Sequence, residues 1–445
     1  MLTQLSVHQL RNLQAVHIQP GQCNVFIGAN GSGKTSLLES LYLLSRGKSF
    51  RHHQPKRYIS HHAPHTTVYA KFANGSSMAI QKAQDASSIM RLDQQAVYVQ
   101  SALTKQLPTL LIDPSSMDIL EIGSGSRRQL LDWITFHVKP GFHPQWLSYQ
   151  RLLKQRNALL KQSPKLSPYQ LQELAAWDKG LANHAALITH YRQQAFEEWQ
   201  PLFNFLIQQL LPDYAPFIQL KFSAGYNTEV ALDELLQQRL AQDCQMGYTR
   251  IGCHRADVQV LWVEDEIARQ KVAAFQDKSS QNAGSKNIGE PDTEFKSSEP
   301  QTSESRLAPE QPYQEEQDFY DLEEVDLLGN VREQAANVLS RGEKKLLITA
   351  LKLSQLPLLA TVKQGEGNSA VRSEEEVMPL VLLDDIAAEL DERALTILLK
   401  SLSQLSCQVF ITSLEPQIMA EICHYWPQAK MFHVKQGQVT EEAVN

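Results

Sequence analysis

The chain has 445 residues, 42% of them hydrophobic, which is enough for two or three compact units with a sizeable core. No apolar run reaches the roughly 18 residues of a membrane helix, and the stretch from Met1 to Asn12 alternates polar and apolar residues, so the sequence predicts neither a membrane span nor a signal peptide. The formal net charge of −7 argues against a nucleic-acid binder only until it is divided by segment, because residues 271–330 hold 14 acidic and 5 basic residues and leave 37 basic and 35 acidic residues elsewhere.

A complete G-x-x-x-x-G-K-[ST] phosphate loop is formed by Gly28, Ala29, Asn30, Gly31, Ser32, Gly33, Lys34 and Thr35. Its glycines let successive backbone amides point at a phosphate chain. Lys34 can reach the β- and γ-phosphates of ATP, and the Thr35 hydroxyl suits Mg²⁺. The apolar run Asn24–Ile27 predicts a buried strand before the loop, and leucines at helical spacing predict a helix that begins at Lys34. This context favours ATP binding over a chance Gly-rich turn.

Further along, the chain changes character twice. Val68–Phe72, the turn Asn74-Gly75 and Met78–Ile80 predict a β-hairpin within a strand-rich first part at residues 1–125. From about Arg127 to Leu211 helix formers dominate, with large apolar residues at three- and four-residue spacing. This pattern predicts a helical lobe at residues 126–215, followed by a mixed segment at 216–270 that returns toward the first lobe.

The helical lobe also carries a supply of basic residues, which are Arg127, Arg128, Lys139, Arg151, Lys154, Arg156, Lys161 and Lys165. Phosphate contacts by such residues give sequence-independent, salt-sensitive DNA binding. The alternative for each one is a solvated helix face. The candidate DNA-binding residues are Arg127, Arg128, Lys154 and Arg156.

The acidic stretch at 271–330 is predicted to be a disordered insert. Its part from Gln276 to Gln317 is rich in Ser, Gln, Glu, Asn and Pro, so it cannot bury enough apolar surface to offset its chain entropy. It is either a tolerated surface insertion or an acidic peptide that recruits a basic partner. A second, smaller polar insertion is expected around Gly365 to Glu376.

The last part, residues 331–445, contains a motif formed by Leu339, Ser340, Arg341, Gly342 and Glu343, followed by a well-patterned helix. The motif resembles the signature of ABC-type ATPases. There, a serine hydroxyl and backbone amides at a helix N-terminus approach the γ-phosphate held by another subunit. The simpler interpretation is a Ser340 N-cap with Glu343 as its capping-box partner, and the two interpretations are compatible.

A third motif, the apolar run Leu380–Leu383 with Asp384 and Asp385, places two carboxylates at the end of a predicted strand. Asp384 is expected to hold Mg²⁺ opposite Thr35, and Asp385 to act as a general base or to orient water. The helix predicted from Arg393 to Leu405 and the strand Gln408–Ile411 complete a β-α-β order, which implies a parallel sheet. Glu389, Leu390 and Asp391 then stand at the spacing of the D-loop, which runs along the dimer seam of ABC ATPases.

Together the three motifs predict an α/β fold, an ABC-type P-loop ATPase head. It has a mixed or parallel sheet, antiparallel N-terminal strands and an inserted helical lobe. In such heads, ATP is clamped between the phosphate loop of one copy and the signature of a second, so a homodimer in the ATP state is expected. Lys34 and Asp385 are the catalytic candidates. No heptad pattern persists, so the long coiled-coil arm of SMC-type relatives is not expected.

More specific motifs are Leu10–Asn12, Gly47–Arg51, Arg127–Trp133, Phe136–Val138, Leu153–Leu160, Trp177–Lys179, Gly252–Asp257 and Leu339–Leu347. With these the chain resembles the RecF family of bacterial recombinational-repair ATPases over nearly its whole length outside the two inserts. Three positions depart from the family pattern: Cys253 stands in place of Pro, Glu343 in place of Gln, and Ala388 in place of Ser. A carboxylate at Glu343 would repel the partner's γ-phosphate unless it is turned away or paired with Lys344, which would weaken ATP-driven dimerisation.

The resemblance implies a weak, DNA-stimulated ATPase that dimerises with ATP on DNA and uses hydrolysis to disassemble the dimer. It further implies recognition of gapped duplex or duplex–single-strand junctions, and cooperation with RecO and RecR in loading RecA. The setting it implies is the bacterial cytoplasm, with roles in DNA replication, DNA-damage repair and the SOS response.

Other classes fit the sequence less well. An OLD-type ABC ATPase-nuclease would need a further cluster of metal-binding carboxylates in a separate C-terminal domain, and about fifty residues follow Asp391. A transporter subunit keeps a switch histidine where this chain has Thr412-Ser413, and a glycine where Arg341 stands. A scaffold with a degenerate ATP site is disfavoured by the intact phosphate loop and carboxylate pair.

The sequence does not predict a second metal site or disulfides. His254, Arg255 and Asp257 are interpreted as structural or nucleotide-linked residues, since no second His or Cys stands at ligand spacing. The five cysteines are scattered without a C-x-x-C pair, which favours structural thiols in a reducing compartment.

Overall fold

The computed structural model describes residues 1–162, 166–263, 331–332, 335–361, 378–385, 390 and 392–442. The predicted inserts at 271–330 and from Gly365 to Glu376 lie outside the described residues. Strands and helices are numbered below in chain order over the described residues.

The centre of the ATPase part is a six-stranded sheet with the order β15-β14-β3-β13-β12-β8. Its strands are β3 (Cys23–Ile27), β8 (Thr109–Ile112), β12 (Leu380–Leu383), β13 (Gln408–Ser413), β14 (Lys430–Lys435) and β15 (Gln438–Glu442). Five of them are parallel, and only β15 runs antiparallel to its neighbour β14. All residues of β3, β12 and β13 are buried, as expected for strands covered on both faces. The predicted parallel sheet is confirmed.

A second, antiparallel sheet covers this centre with the order β2-β1-β4-β5-β6-β7. Its strands are β1 (Leu2–Leu10), β2 (Leu13–Ile18), β4 (His65–Phe72), β5 (Ser77–Ala83), β6 (Ser88–Leu92) and β7 (Gln95–Val97). Val68 pairs with Ile80 across β4 and β5, which confirms the predicted hairpin. Along β4 buried residues alternate with less buried ones, because one face packs on the core shared with the first sheet.

Helices surround the parallel sheet and form the lobe beside it. Those next to the sheet are α1 (Lys34–Arg46), α2 (Gln100–Gln106), α3 (Asp118–Glu121), α9 (Arg341–Leu353), α10 (Leu356–Thr361), α11 (Glu392–Ser403) and α12 (Ile418–Tyr425). Those of the helical lobe are α4 (Ser124–Val138), α5 (Phe142–Gln162), α6 (Pro168–Leu210), α7 (Leu232–Gln238) and α8 (Leu240–Met246). No helix in the described ranges is long and apolar enough to cross a membrane.

The helical lobe is built on the long helix α6, which packs along α5. Ser167 caps its N-terminus, accepting from Gln170 N while the Gln170 side chain accepts from Ser167 N. Trp199 and Phe203 of α6 extend the core of the parallel sheet into the lobe, where α9 also packs. A small sheet with the order β11-β10-β9 completes the junction, and its strands are β9 (Ile218–Ser223), β10 (Asp257–Val263) and β11 (Val331–Arg332). Helix α9 therefore joins the two lobes.

Candidate nucleotide site

The phosphate loop follows β3 directly and ends where α1 begins, at Lys34, as predicted. Gly31 and Gly33 have φ angles of 76° and 120°, in the region that favours glycine. A Cβ atom at Gly28 would lie 2.2 Å from the carbonyl oxygen of Val434. The curl of the loop therefore depends on glycine at these positions.

Two distant segments hold the loop from outside. Asn12 Nδ2 donates to the Ser32 carbonyl at 2.9 Å, and Gly437 N donates to the same carbonyl at 2.8 Å. Gln436 and Gly437, with φ angles of 50° and 81°, form the turn between β14 and β15. Sequence reasoning missed this support by the C-terminal hairpin. The available signal was a Gln-Gly pair between two short apolar runs.

Lys34 lies inside the loop. Its ammonium donates to the carbonyls of Gly28 at 2.6 Å and Ala29 at 3.1 Å. Burial lowers the pKa of Lys34, and the nearby carboxylates of Asp385 and Asp384 partly oppose that shift. The ammonium is thus held where it could exchange two neutral carbonyls for phosphate oxygens.

Asp384 connects the loop to the neighbouring strand ends. Its Oδ1 accepts from the Thr35 hydroxyl at 3.0 Å and from the Thr412 hydroxyl at 2.8 Å. Burial raises the pKa of Asp384, and these two hydrogen bonds work in the opposite direction. The structure therefore brings together Thr35 and Asp384, the two residues predicted to hold Mg²⁺.

Asp385 has an unusual backbone for a residue with a side chain, since its φ angle is 54°. Its N–H donates to the Thr412 hydroxyl at 2.8 Å, and its side chain is only partly buried. Thr412, noted in the sequence only because a transporter would have a histidine there, thus contacts both aspartates. Strained residues of this kind are frequent at functional sites.

The residues present fit a Mg²⁺-nucleotide. The Ser32 hydroxyl oxygen is buried without a hydrogen-bond partner among the described residues. Thr35 and Asp384 provide oxygen ligands of the kind that Mg²⁺ takes in nucleotide sites. Loop amides, the Lys34 ammonium and this oxygen pair provide what a triphosphate needs, so the chemistry of the donors agrees with the motif.

The signature motif forms the N-terminus of α9. Ser340 is the N-cap, its hydroxyl accepts from Glu343 N, and the Glu343 carboxylate accepts from Ser340 N at 2.7 Å. Ser340, Arg341 and Gly342 are exposed, and no atom lies within 4 Å of a Cβ built on Gly342. The capping box predicted as the simpler interpretation is confirmed, and it leaves the rest of the helix end accessible.

Glu343 is turned toward its own chain. Burial alone would raise the pKa of Glu343, but hydrogen bonds from the Tyr214 hydroxyl and from Ser340 lower it overall. Lys344 pairs instead with Glu121 at 3.4 Å. Of the two arrangements considered in the sequence, the carboxylate is thus directed away, and Tyr214 is a partner that sequence reasoning missed.

The D-loop prediction is mostly beyond reach, because Glu389 and Asp391 lie outside the described residues. Leu390 is partly buried and packs against the core of the parallel sheet. Ala388, one of the three family departures, is likewise not described.

Two of the four candidate DNA-binding residues need correction. Arg127 is buried and donates from Nε and Nη2 to the carboxylate of Asp257, both at 2.8 Å. Arg156 is fully buried and pairs with Asp178 at 2.7 Å and Asp243 at 2.8 Å. Neither side chain is available to DNA, and both hold the lobe together. The acidic partners stand 22 to 130 residues away in sequence, so no local pattern announced them.

The other basic residues of the lobe divide by exposure. Arg128 is half-buried and donates to the Ala256 carbonyl at 2.9 Å, while Lys139 pairs with Glu198 at 2.6 Å. Lys154 is exposed on α5, as are Arg151 and Lys161. Lys165 lies outside the described residues. These three exposed residues are three and seven positions apart, so they share one face of the helix.

The segment Gly252–Asp257 is structural, as the sequence suggested for its charged residues. His254 lies between the Tyr149 hydroxyl, 2.7 Å from Nδ1, and the Thr249 carbonyl, 3.1 Å from Nε2. Burial lowers the pKa of His254 to about 3. Cys253 is buried beside it, and its carbonyl accepts from Arg192. Within the described ranges no group of three or more His, Cys, Asp or Glu side chains could hold a metal ion.

The model of the RecF/RecN/SMC N-terminal domain matches residues 1–440. The DNA replication and repair protein RecF of Acinetobacter baumannii (strain SDF) is 35% identical over 441 residues, which cover 99% of this chain and 98% of that protein. The chain belongs to the RecF family. RecF of Shewanella pealeana is 29% identical over 443 residues, which cover 99% of both chains.

Solved structures agree on the fold. The recombination mediator protein RecF–ATPrS of the RecFOR pathway superposes with a TM-score of 0.70 at 18% identity, and the match covers 100% of this chain and 98% of that one. An SMC head bound to the C-terminal winged-helix domain of ScpA gives a TM-score of 0.51 at 12% identity, with 100% and 98% covered. The predicted ABC-type ATPase head is therefore confirmed as the fold, with RecF among its members.

Proposed function

We propose that the chain is an ATP-dependent DNA-binding protein of recombinational repair and replication-fork recovery, and that two copies join around ATP on DNA. The observation that carries the proposal is the accessible N-terminus of α9, where Ser340, Arg341 and Gly342 face solvent. A helix N-terminus attracts anions through its unsatisfied amides and its dipole. Membership of the RecF family supports interpreting this end as the second half of an ATP site, completed across a dimer seam.

Within one copy, the phosphate loop and the sheet edge divide the work. The amides of Gly28–Gly33 solvate the phosphates, Lys34 neutralises the β- and γ-phosphates, and Thr35 and Asp384 hold Mg²⁺. MgATP, when bound, provides the transferable phosphoryl group and the charge that these residues recognise. Asp385, at the rim of the site, orients the attacking water or takes its proton. We propose that this weak, DNA-stimulated hydrolysis serves to separate the two copies.

DNA is proposed to lie along the exposed face of α5 that carries Arg151, Lys154 and Lys161. Three side chains on one helix face can contact successive phosphates without reading bases, so the binding would be salt-sensitive and independent of sequence. Gapped duplex and duplex–single-strand junctions are the proposed targets. RecO, RecR and RecA are the proposed partners, within the DNA-damage and SOS response of the bacterial cytoplasm. The domain limits proposed are 1–125, 126–215, 216–270, 271–330 and 331–445.

ATP hydrolysis and sedimentation velocity, each measured with and without gapped DNA, test the proposal. We expect a monomer without nucleotide, a dimer with ATP and a further shift when gapped DNA is present. Hydrolysis should rise with gapped duplex more than with single strands. A protein that neither dimerises with ATP nor binds DNA would contradict the proposal, and nuclease activity on the same substrates would favour the OLD-type alternative.

A further inference from the structure

A cavity of about 350 Å³ opens at the junction of the ATPase part and the helical lobe. It runs beside β8, the outermost strand of the parallel sheet, and between the C-terminal half of α1, helix α4 and the end of α9. The argument rests on six of its lining residues, which are Arg46, Lys48, Asp113, Trp133, Lys352 and Gln355. None of them belongs to the phosphate loop, the signature or the aspartate pair.

Two donors on the cavity wall have nothing to bind. Trp133 is only 6% exposed, yet its indole Nε1 is buried without a hydrogen-bond partner. Arg46 Nε is also buried without a partner, and no ion pair joins the Arg46 guanidinium to any residue that the structure describes. Burial lowers the pKa of Arg46, with only the Tyr42 hydroxyl acting against it. Buried polar groups are normally satisfied, so each exception calls for an explanation.

The rest of this wall adds positive charge and one acceptor. The Lys352 ammonium is buried and donates to the Ser116 hydroxyl at 2.6 Å, and Lys48 lines the same cavity. Gln355 is fully buried, and its Oε1 has no partner although its Nε2 donates to the Leu130 carbonyl at 3.1 Å. Cationic and neutral donors thus outnumber acceptors around this space.

The acidic groups of the cavity are already engaged. Asp113 accepts from the Ser116 hydroxyl at 2.7 Å and from the Ser115 hydroxyl at 2.6 Å. Asp118, one turn further on, has its pKa raised by burial and by the nearby carboxylates of Asp113 and Glu121. These carboxylates therefore do not neutralise Arg46, and a ligand that meets the two unsatisfied donors must be an acceptor with negative charge.

We propose that this cavity binds a small oxyanion, a phosphate group, through the Arg46 guanidinium and the Trp133 indole N–H. The phosphate is either inorganic phosphate or the phosphate of a nucleotide. The site is distinct from the phosphate loop, because Arg46 ends the 13-residue helix that Lys34 begins and such a helix is about 20 Å long. The proposal does not depend on the proposed function in DNA repair.

Equilibrium dialysis of the full chain against labelled inorganic phosphate tests the site, in a Lys34→Ala background that silences the phosphate loop. We expect one saturable class of phosphate sites, weakened at least tenfold by Arg46→Gln because a charged donor is lost. Trp133→Phe should weaken it severalfold. Arg91→Gln, a matched change at an exposed arginine on β6, should leave it unchanged.

A second measurement uses the unmodified chain and so does not rely on the folding of the variants. Added phosphate should change the tryptophan emission, and the change should be absent in Trp133→Phe. Competition with ADP in the Lys34→Ala protein distinguishes the sources: displacement of labelled phosphate identifies a nucleotide-borne phosphate, and failure to displace it identifies inorganic phosphate. Absence of saturable phosphate binding, or equal binding by the Arg46→Gln and parent proteins, would overturn the proposal.

Discussion

The Thr35 hydroxyl donates to Asp384 Oδ1 at 3.0 Å, although 349 residues separate the two in sequence. The same carboxylate oxygen accepts from Thr412, whose own oxygen accepts from the backbone of Asp385. One side chain at the end of β13 therefore positions both members of the aspartate pair. Thr412 is a positioning residue that no motif in the sequence marked.

We expect Thr412→Val to weaken Mg²⁺-dependent nucleotide binding about tenfold, because a hydrogen bond to a charged group contributes roughly 1.5–3 kcal/mol. Thr412→Ser keeps the hydroxyl and is the matched control. Titration of Mg²⁺ against a fluorescent ATP analogue measures the effect. Equal Mg²⁺ dependence of the valine and serine variants would show that Thr412 does not position the pair.

Asp385→Asn should slow hydrolysis by about 10²-fold or more while leaving the phosphate and Mg²⁺ ligands in place. An ATP-bound dimer is then expected to accumulate, visible by sedimentation velocity. Lys34→Ala should give neither hydrolysis nor dimer, since it removes the charge that faces the β- and γ-phosphates. Normal ATPase activity in Lys34→Ala would refute the site assignment.

Glu343→Gln should strengthen ATP-driven dimerisation, because the amide oxygen can still accept from Ser340 N while the negative charge near the partner's γ-phosphate is lost. Glu343→Ala also removes the charge but loses the capping box, which we expect to cost about 1 kcal/mol of stability. Dimer dissociation constants and thermal melts of the two variants separate charge from capping. A glutamine variant that dimerises more weakly than the parent would show that the carboxylate itself is needed at the seam.

Arg156→Leu should destabilise the chain by about 3–5 kcal/mol, since it leaves Asp178 and Asp243 buried without their cation. Lys154→Leu, two residues earlier and exposed, should leave the melting temperature nearly unchanged and reduce affinity for duplex DNA. The pair of variants therefore distinguishes an internal arginine from a surface cation. Loss of DNA affinity in a stably folded Arg156→Leu protein would contradict this assignment.

Stability should fall as pH drops below about 6.5. Burial lowers the pKa of His137 and of His254 to about 3, so between pH 6.5 and 3 the unfolded chain binds protons that the folded chain does not. Each histidine contributes a slope of up to about 1.4 kcal/mol per pH unit in that window, and its effect vanishes above pH 6.5. Urea unfolding at pH 7, 6 and 5 measures it.

His137→Phe is the informative variant for that slope, because a phenyl ring can replace the imidazole against Trp133 and Phe136 without a proton to bind. The slope should become shallower in His137→Phe and stay unchanged in His8→Gln, which alters an exposed histidine. An unaltered slope in the phenylalanine variant would assign the acid sensitivity to other groups.

Local patterns predicted the parts of the site that local physics forms. The strand before Gly28, the helix from Lys34 and the Ser340–Glu343 capping box each depend on residues within a few positions of one another. The contacts among distant segments could not be read in this way. Arg156 looks like any surface arginine on a helix until Asp243 is brought beside it by the fold. The same holds for Tyr214 and Glu343, whose hydrogen bond depends on how the helical lobe meets α9.

The closeness of Gly28 to the Val434 carbonyl has a consequence for the order of events during synthesis. Val434 and Gly437 stand more than 400 residues after Gly28, and they complete the wall behind the phosphate loop. A ribosome therefore makes the loop long before it makes its support. Nucleotide cannot stabilise the nascent chain through a finished pocket, and a message truncated before Val434 would yield a product that carries all three motifs without the wall behind its ATP site.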